Sequence, residues 1–266
     1  MRESDEADLL ESRDGGVVTL TFNRPARLNA ITVPMFERLL ATCERLAGDA
    51  TARAIVLAGA GRGFSAGGDV GEMANRAPGE TPEDAVRTLR RRMRIAQLLH
   101  EMPAPTLAVI QGPAAGAGLC LALACDLRIA GPAASFTMAF GKVGYAGDYG
   151  GSYFLPRLVG AAKARELYFT SATIGADEAL RIGLVNRIVP TPQLVDETRA
   201  LATALADGPR VALAQMKRNL NLADGGDLSA VLDEEAVGQI RCRLTDDHRE
   251  AARAFVEKRK PRFTGR

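Results

Sequence analysis

Apolar positions along the chain follow first a two-residue and then a helical period, and the alternation predicts a mixed α/β core. Leu9–Arg13 and Val17–Asn23 flank Asp14-Gly15, a dipeptide that favours a tight hairpin, so the chain is expected to open with two paired strands. Residues 34–47 place Met35, Phe36, Leu39, Leu40 and Leu46 at helical spacing, and Gly48 follows as a stop. A short apolar strand at 54–57 runs into the glycine-rich segment 59–69; residues 74–82 read as a mobile connection and 82–100 as a second helix. The next strand, 106–110, is followed by GPAAGAG, an apolar helix at 119–125 and a strand at 126–130. A second glycine-rich run, 141–151, precedes helices at 161–170 and 177–181 and a strand at 184–189. Beyond residue 190 the period is helical only. That divides the chain into an α/β core, 1–190, and a helical C-terminal region, 191–266, packed on it without a flexible linker.

Composition narrows the class. The 266 residues are 47% hydrophobic and 25% charged, which suits a packed core rather than disorder or a fibrous repeat. A net charge of +2, a pI near 8.4, no Trp and 5% aromatics argue against a nucleic-acid partner. The basic run at 90–94, RRRMR, reads either as a solvated helix face or as a phosphate contact. Residues 106–125 are uncharged over the length of a membrane span, but Gly112, Pro113, Gly116 and Gly118 break them into strand, turn and helix, so no membrane partner is expected. Four scattered cysteines, with only His100 and His248 beside them, lack metal-ligand spacing, so no metal site is expected. The cysteine pattern fits reduced thiols in a cytoplasmic protein, and the acidic start MRESDEADLL does not read as a signal peptide.

The candidate chemistry lies in two loops of small residues at strand ends, Ala66-Gly67-Gly68-Asp69 and Gly116-Ala117-Gly118. Small side chains expose backbone N–H groups and leave room for a bulky ligand. The second loop also opens a helix, whose first N–H groups lack intrahelical acceptors and carry the positive end of the dipole. Two such donors aimed at one point form an oxyanion hole, in which each donor contributes about 3–4 kcal/mol to transition-state stabilisation. GAG before a helix is also half of a dinucleotide-binding fingerprint, but Leu121 stands where its third glycine belongs and Asp126 is too near for its acidic residue. Glycines kept only for tight packing are the remaining alternative.

Six colinear blocks, residues 23–31, 54–70, 114–130, 155–170, 176–189 and 254–263, resemble the crotonase, or enoyl-CoA hydratase/isomerase, superfamily. The resemblance implies a spiral of ββα turns with two roughly perpendicular sheets and a helical C-terminal region. It also implies a homo-oligomer, a trimer or hexamer, with coenzyme A as part of an acyl-CoA substrate and no permanently bound cofactor. By position, the oxyanion donors would be the N–H groups of Gly68 and Ala117, the loops already singled out on physical grounds. Arg27, Leu28 and Ala30 would meet the nucleotide portion of coenzyme A. Ala66, Gly67, Asp69, Val70 and Gly118 would surround the adenine and pantetheine, with Tyr145 beside them; Tyr145 and Tyr149 could each serve as a hydrogen-bond donor. Phe255 and Lys258 would close on coenzyme A from the C-terminal helix, although Phe255 also reads as a core aromatic.

The resemblance has a gap at its centre. Hydratases of the family use two glutamates to add water, and here those positions hold Cys120 and Phe140. Neither side chain can activate water as a carboxylate does. One carboxylate remains in the region, Asp148 in GYAGDYGG, at a point where family isomerases carry an acid–base aspartate. Three readings follow: isomerase-type proton transfer by Asp148 on an oxyanion-stabilised enolate; hydrolysis or dehalogenation with Asp148 as nucleophile; or acyl-CoA binding without catalysis. An aspartate in that place can also simply cap the helix starting near Gly150.

Overall fold

A computed structural model describes residues 7–75 and 79–266; of the stretch expected to be mobile, 76–78 lie outside the described residues, as does most of the acidic N-terminus. The hairpin forms as expected, β1 (Leu9–Asp14) antiparallel to β2 (Val17–Phe22). From β2 onward the main sheet is parallel, in the order β1-β2-β3-β4-β6-β9, through β3 (Ala54–Gly59), β4 (Thr106–Ile110), β6 (Leu127–Ala130) and β9 (Arg187–Ile188). Parallel strands are covered on both faces, which is why β3 reads as an unbroken apolar run. Ile55 and Leu57 enter one core with Val18, Leu20 and Phe22, while Ala54 and Val56 enter a second with Val17, Leu107 and Ile129.

The first core is closed by α1 (Val33–Gly48), α3 (Pro82–Glu101) and α4 (Gly116–Leu123). Thr32 and Thr81 begin α1 and α3 by accepting hydrogen bonds from Met35 N and Asp84 N. The second core is closed by α8 (Thr191–Ala206) through Leu194, Ala202 and Ala206. The helical region after residue 190 therefore begins with an element of the core itself. Beyond it follow α9 (Arg210–Ala223), α10 (Leu228–Arg243) and α11 (Asp246–Val256). Lys217 of α9 locks this region to α3: its buried Nζ donates to Leu99 O at 2.9 Å and Ala104 O at 3.2 Å, and pairs with Asp126 at 2.8 Å.

A second sheet carries no apolar period of its own: β5 (Pro113–Ala115) pairs in parallel with β7 (Ser135–Thr137), which pairs antiparallel with β8 (Thr173–Gly175). Single bridges continue this layer, Ser65 beside Ala114 and Ile31 beside Gly68. Each strand is too short to show an alternation. Two further expectations are corrected. The apolar helix starts at Gly116, not Leu119, because the GAG segment is its first turn. The strand expected at 184–189 shrinks to two residues, because Leu184 N and Val185 N both turn back to Ala179 O, at 2.8 and 3.3 Å. Between these elements lie α2 (Val70–Ala74), α5 (Gly151–Val159), α6 (Ala161–Thr170) and α7 (Ala176–Arg181). Among the described residues, no helix is long and apolar enough to cross a membrane, and no cluster of His, Cys, Asp and Glu could hold a metal ion.

Candidate active site

The two small-residue loops meet. Phe64 N and Ser65 N donate to Pro113 O at 3.0 and 3.1 Å, and Ala115 N returns a bond to Ser65 O at 2.9 Å. Ser65 Oγ donates to Asn29 O at 2.9 Å and accepts from Gly67 N at 3.2 Å. Gly67 adopts φ +90°, and a Cβ there would lie 2.8 Å from Ala115 O and 3.4 Å from Ala117 N. The closeness of the loops thus depends on the missing side chain. Gly118 seats α4 against the other loop, since a Cβ would fall 2.6 Å from Ser65 Cβ and Oγ. Ala115, before α4, provides no side-chain cap, so the N–H of Ala117 in the first turn has no intrahelical acceptor. Gly68 N likewise donates to no protein acceptor among the described residues, because its neighbours carry the bridge: Ile31 N to Gly67 O at 2.7 Å and Asp69 N to Ile31 O at 3.0 Å.

Both free donors border a cavity of about 750 Å³, lined by the two loops, α1, α3 and the segment 139–149. The cavity collects Ala66, Gly67, Gly68, Asp69, Val70, Ala117, Tyr145 and Asp148 among the expected residues. Gly118, Arg27, Leu28, Ala30, Phe255 and Lys258 do not line it. Arg27 closes an exposed 3-10 turn, Pro25–Arg27, and Leu28 follows with φ +48°. Ala30 O accepts from Arg24 Nη1 at 2.7 Å, and the same nitrogen reaches Asp69 at 2.7 Å. Asp69 also caps α2 through Gly71 N, and the Arg24 bond holds its carboxyl below the usual range. Its carboxylate is therefore committed to fixing the loops together. Phe255 is no core aromatic: it stands 86% exposed near the end of α11, with Lys258 exposed beyond it.

Asp148 sits in a sharp reversal with positive φ at Gly147 (+113°), Tyr149 (+46°) and Gly150 (+76°). The left-handed Tyr149 costs about 1–2 kcal/mol and is held by its surroundings: its ring is buried and stacks on Phe36 with centroids 4.8 Å apart. The side chain of Asp148 does not cap α5, which has no side-chain cap at all; only its backbone oxygen accepts, from Gly151 N at 3.1 Å. Its Oδ1 is buried without a partner among the described residues, and burial pushes the carboxyl up to about 6. Cys120 is fully buried outside the cavity lining, and burial, then the nearby Asp148 charge, raises its thiol well above the usual value. Phe140 lies on the lining and stacks on Tyr168, centroids 6.1 Å apart. The Tyr168 hydroxyl, with no partner among the described residues, and Cys120 Sγ both face Gly151.

Sequence reasoning passed over Arg24, Tyr168, Ala85 and Leu89, and read Phe36 only as a helix-face apolar residue and Arg92 only within the basic run; Ala85, Leu89 and Arg92 form an α3 face that lines the cavity at helical spacing. The basic run is partly committed to ion pairs with α1. Arg91 and Arg92 both pair with Glu37 of α1, and Arg94 pairs with Glu44 at 3.6 Å.

A spiral of strand–strand–helix turns with a cavity at the junction of two amide-bearing loops defines a crotonase-fold protein. The comparisons agree and go further: the enoyl-CoA hydratase/isomerase family model matches residues 12–266, and the chain belongs to that family. It is 36% identical to the 1,2-epoxyphenylacetyl-CoA isomerase of Escherichia coli K12, with 97% of this chain and 98% of that one covered. It is 33% identical to the short-chain-enoyl-CoA hydratase of Clostridium acetobutylicum, over 95% and 96% of the two chains. The crystal structure of enoyl-CoA hydratase from Bacillus anthracis superposes with a TM-score of 0.91 at 30% identity, covering 98% of this chain and all of that one. The protein is accordingly an enzyme of this family, whose substrates are acyl-CoA thioesters.

Proposed function

We propose that the enzyme moves a proton between carbons of an acyl-CoA thioester, with Asp148 as the single acid–base group. The carboxylate takes a proton from one carbon, the electron pair moves onto the thioester oxygen, and the N–H groups of Gly68 and Ala117 hold that oxyanion. The protonated Asp148 then returns the proton to a second carbon, so that a double bond migrates and no atom is gained or lost. The observation that carries this reading is the buried, unpartnered Oδ1 of Asp148 on the wall of the cavity that holds both free amides. A carboxyl pushed up to about 6 can both accept and release a proton near neutrality. Cys120 and Phe140 supply no second carboxylate, which speaks against hydration. Coenzyme A would extend over Ala66, Asp69 and Val70 toward Arg27, Leu28 and Ala30, with Phe255 and Lys258, in this or a neighbouring subunit, closing on it.

The test compares wild type with Asp148→Asn on a 3-enoyl-CoA and on crotonyl-CoA. The expected outcome is isomerisation by wild type, a loss of about 100- to 10,000-fold in the variant, and slow or no hydration by either. Rapid hydration of crotonyl-CoA by both proteins overturns the proposal. A covalent acyl adduct on Asp148, seen by mass spectrometry, replaces it with nucleophilic catalysis, and no turnover on any thioester replaces it with binding alone.

A further inference from the structure

One cationic side chain, Arg92, stands on the wall of a cavity whose lining also carries the carboxylates Asp69, Glu72, Glu80 and Asp148; Asp69 is already paired with Arg24, and Glu72 accepts from Val33 N. Arg92 follows Ala85 and Leu89 along the cavity face of α3, at the spacing that brings successive turns onto one side. Its side chain is only 16% exposed. The guanidinium is anchored rather than mobile: Nε donates to Glu37 Oε1 at 2.7 Å, and Glu37 is fixed from its other oxygen by Arg91. Both arginines hold the Glu37 carboxyl below the usual range. Two cations on one carboxylate leave a net positive charge, and the terminal nitrogens of Arg92 donate to no protein acceptor among the described residues.

Tyr149 adds a second polar group at the same place. It lines the same cavity as Arg92 and stacks on Phe36, the residue preceding Glu37. Its hydroxyl makes no hydrogen bond to the protein among the described residues, and the stack on Phe36 holds the ring in place. A pocket built only for a hydrocarbon tail would leave these donors facing methylene groups, at a desolvation cost of about 1–3 kcal/mol for each unpaired polar group.

We infer that Arg92 and Tyr149 form a subsite for a carboxylate on the acyl group, so that the substrate class is an acyl-CoA bearing a second, distal carboxyl. This deepens the proposed function by naming the substrate, but its test is made on binding alone. A guanidinium anchored through Nε keeps an edge of parallel N–H donors free, the geometry a carboxylate accepts. Phe36 and Val33 supply the apolar wall for the methylenes between.

The experiment measures, by calorimetry, the affinities of adipoyl-CoA and hexanoyl-CoA, which are saturated and differ mainly in the terminal carboxylate. Wild type is expected to prefer adipoyl-CoA by about tenfold or more. Arg92→Met is expected to bring the ratio of the two to one or below, and Tyr149→Phe to reduce it by a few-fold, with folding checked by thermal melting. Because a ratio within one protein is read, a general weakening of coenzyme A binding does not imitate the effect. If Arg92→Met fails to fold, the wild-type ratio decides. Equal binding of both thioesters, a preference for hexanoyl-CoA, or a preference for adipoyl-CoA that survives in Arg92→Met overturns the inference. None of these outcomes depends on whether Asp148 moves a proton.

Discussion

Asp148 carries the proposed proton transfer, and its titration is open to measurement. Burial raises its folded pKa to about 6 from an ordinary value near 4. A carboxyl raised in this way contributes its share of stability fully below the unfolded pKa, and that share is lost as pH rises through 6. Two units correspond to about 3 kcal/mol, reduced by whatever solvent reaches the cavity. Asp148→Asn should therefore melt higher than wild type at pH 7.5 and no higher at pH 4, while losing activity. A lower melting temperature at pH 7.5 would mean that the charged carboxylate is stabilised by the protein. The same carboxylate, as base, should give wild-type kcat/KM an acid limb near pH 6; a flat profile from 5 to 8 would remove Asp148 from the proton transfer.

At the level of elements, the site is a contact between a loop and a helix, and its two glycines behave differently. A Cβ on Gly68 would meet only Met73 Cε, the flexible end of a side chain, at 2.6 Å. Gly68→Val is therefore expected to fold and to bind acyl-CoA poorly, and wild-type affinity by calorimetry would show that the thioester lies elsewhere. Gly67 combines φ +90° with a Cβ position 2.8 Å from Ala115 O, a backbone atom that cannot step aside. Gly67→Ala should cost more than about 1 kcal/mol in denaturant unfolding and should spread the two amide donors apart. Unchanged stability would indicate that the loops are less tightly joined than these distances imply.

The whole molecule leaves apolar side chains uncovered. Met216, Leu220, Leu232, Val237, Ile240 and Leu244 on α9, α10 and the turn after it are each 45–69% exposed, and Phe255 and Val256 are 80% or more. An amphipathic helix packed on one neighbour buries a single apolar stripe; these positions spread over several helices of the region beyond α8. A trimer or hexamer is expected at micromolar concentration, and light scattering that finds a stable monomer would count against it. Leu244→Glu should weaken such an assembly without changing the monomer core, from which that side chain is absent.

Much of this was legible in the chain itself, wherever a physical rule acts locally. The hairpin at Asp14-Gly15, the apolar run of β3, the apolar stripe of α1, the presence of α3 and the helix-opening glycine loop all follow from period and turn chemistry. Colinear blocks added the family, and the substitutions at Cys120 and Phe140 isolated Asp148. Tertiary structure decided what depends on residues far apart. Strands of three residues, such as β5, β7 and β8, carry no readable alternation and exist only because partners 22 or more residues away complete their ladders. No local signal says that a residue in a basic run will turn toward a cavity, yet Glu37 on another helix brings Arg92 there. A carboxylate's sequence neighbours do not fix its pKa; the packing around Asp148 does, by excluding the water that would otherwise stabilise its charge.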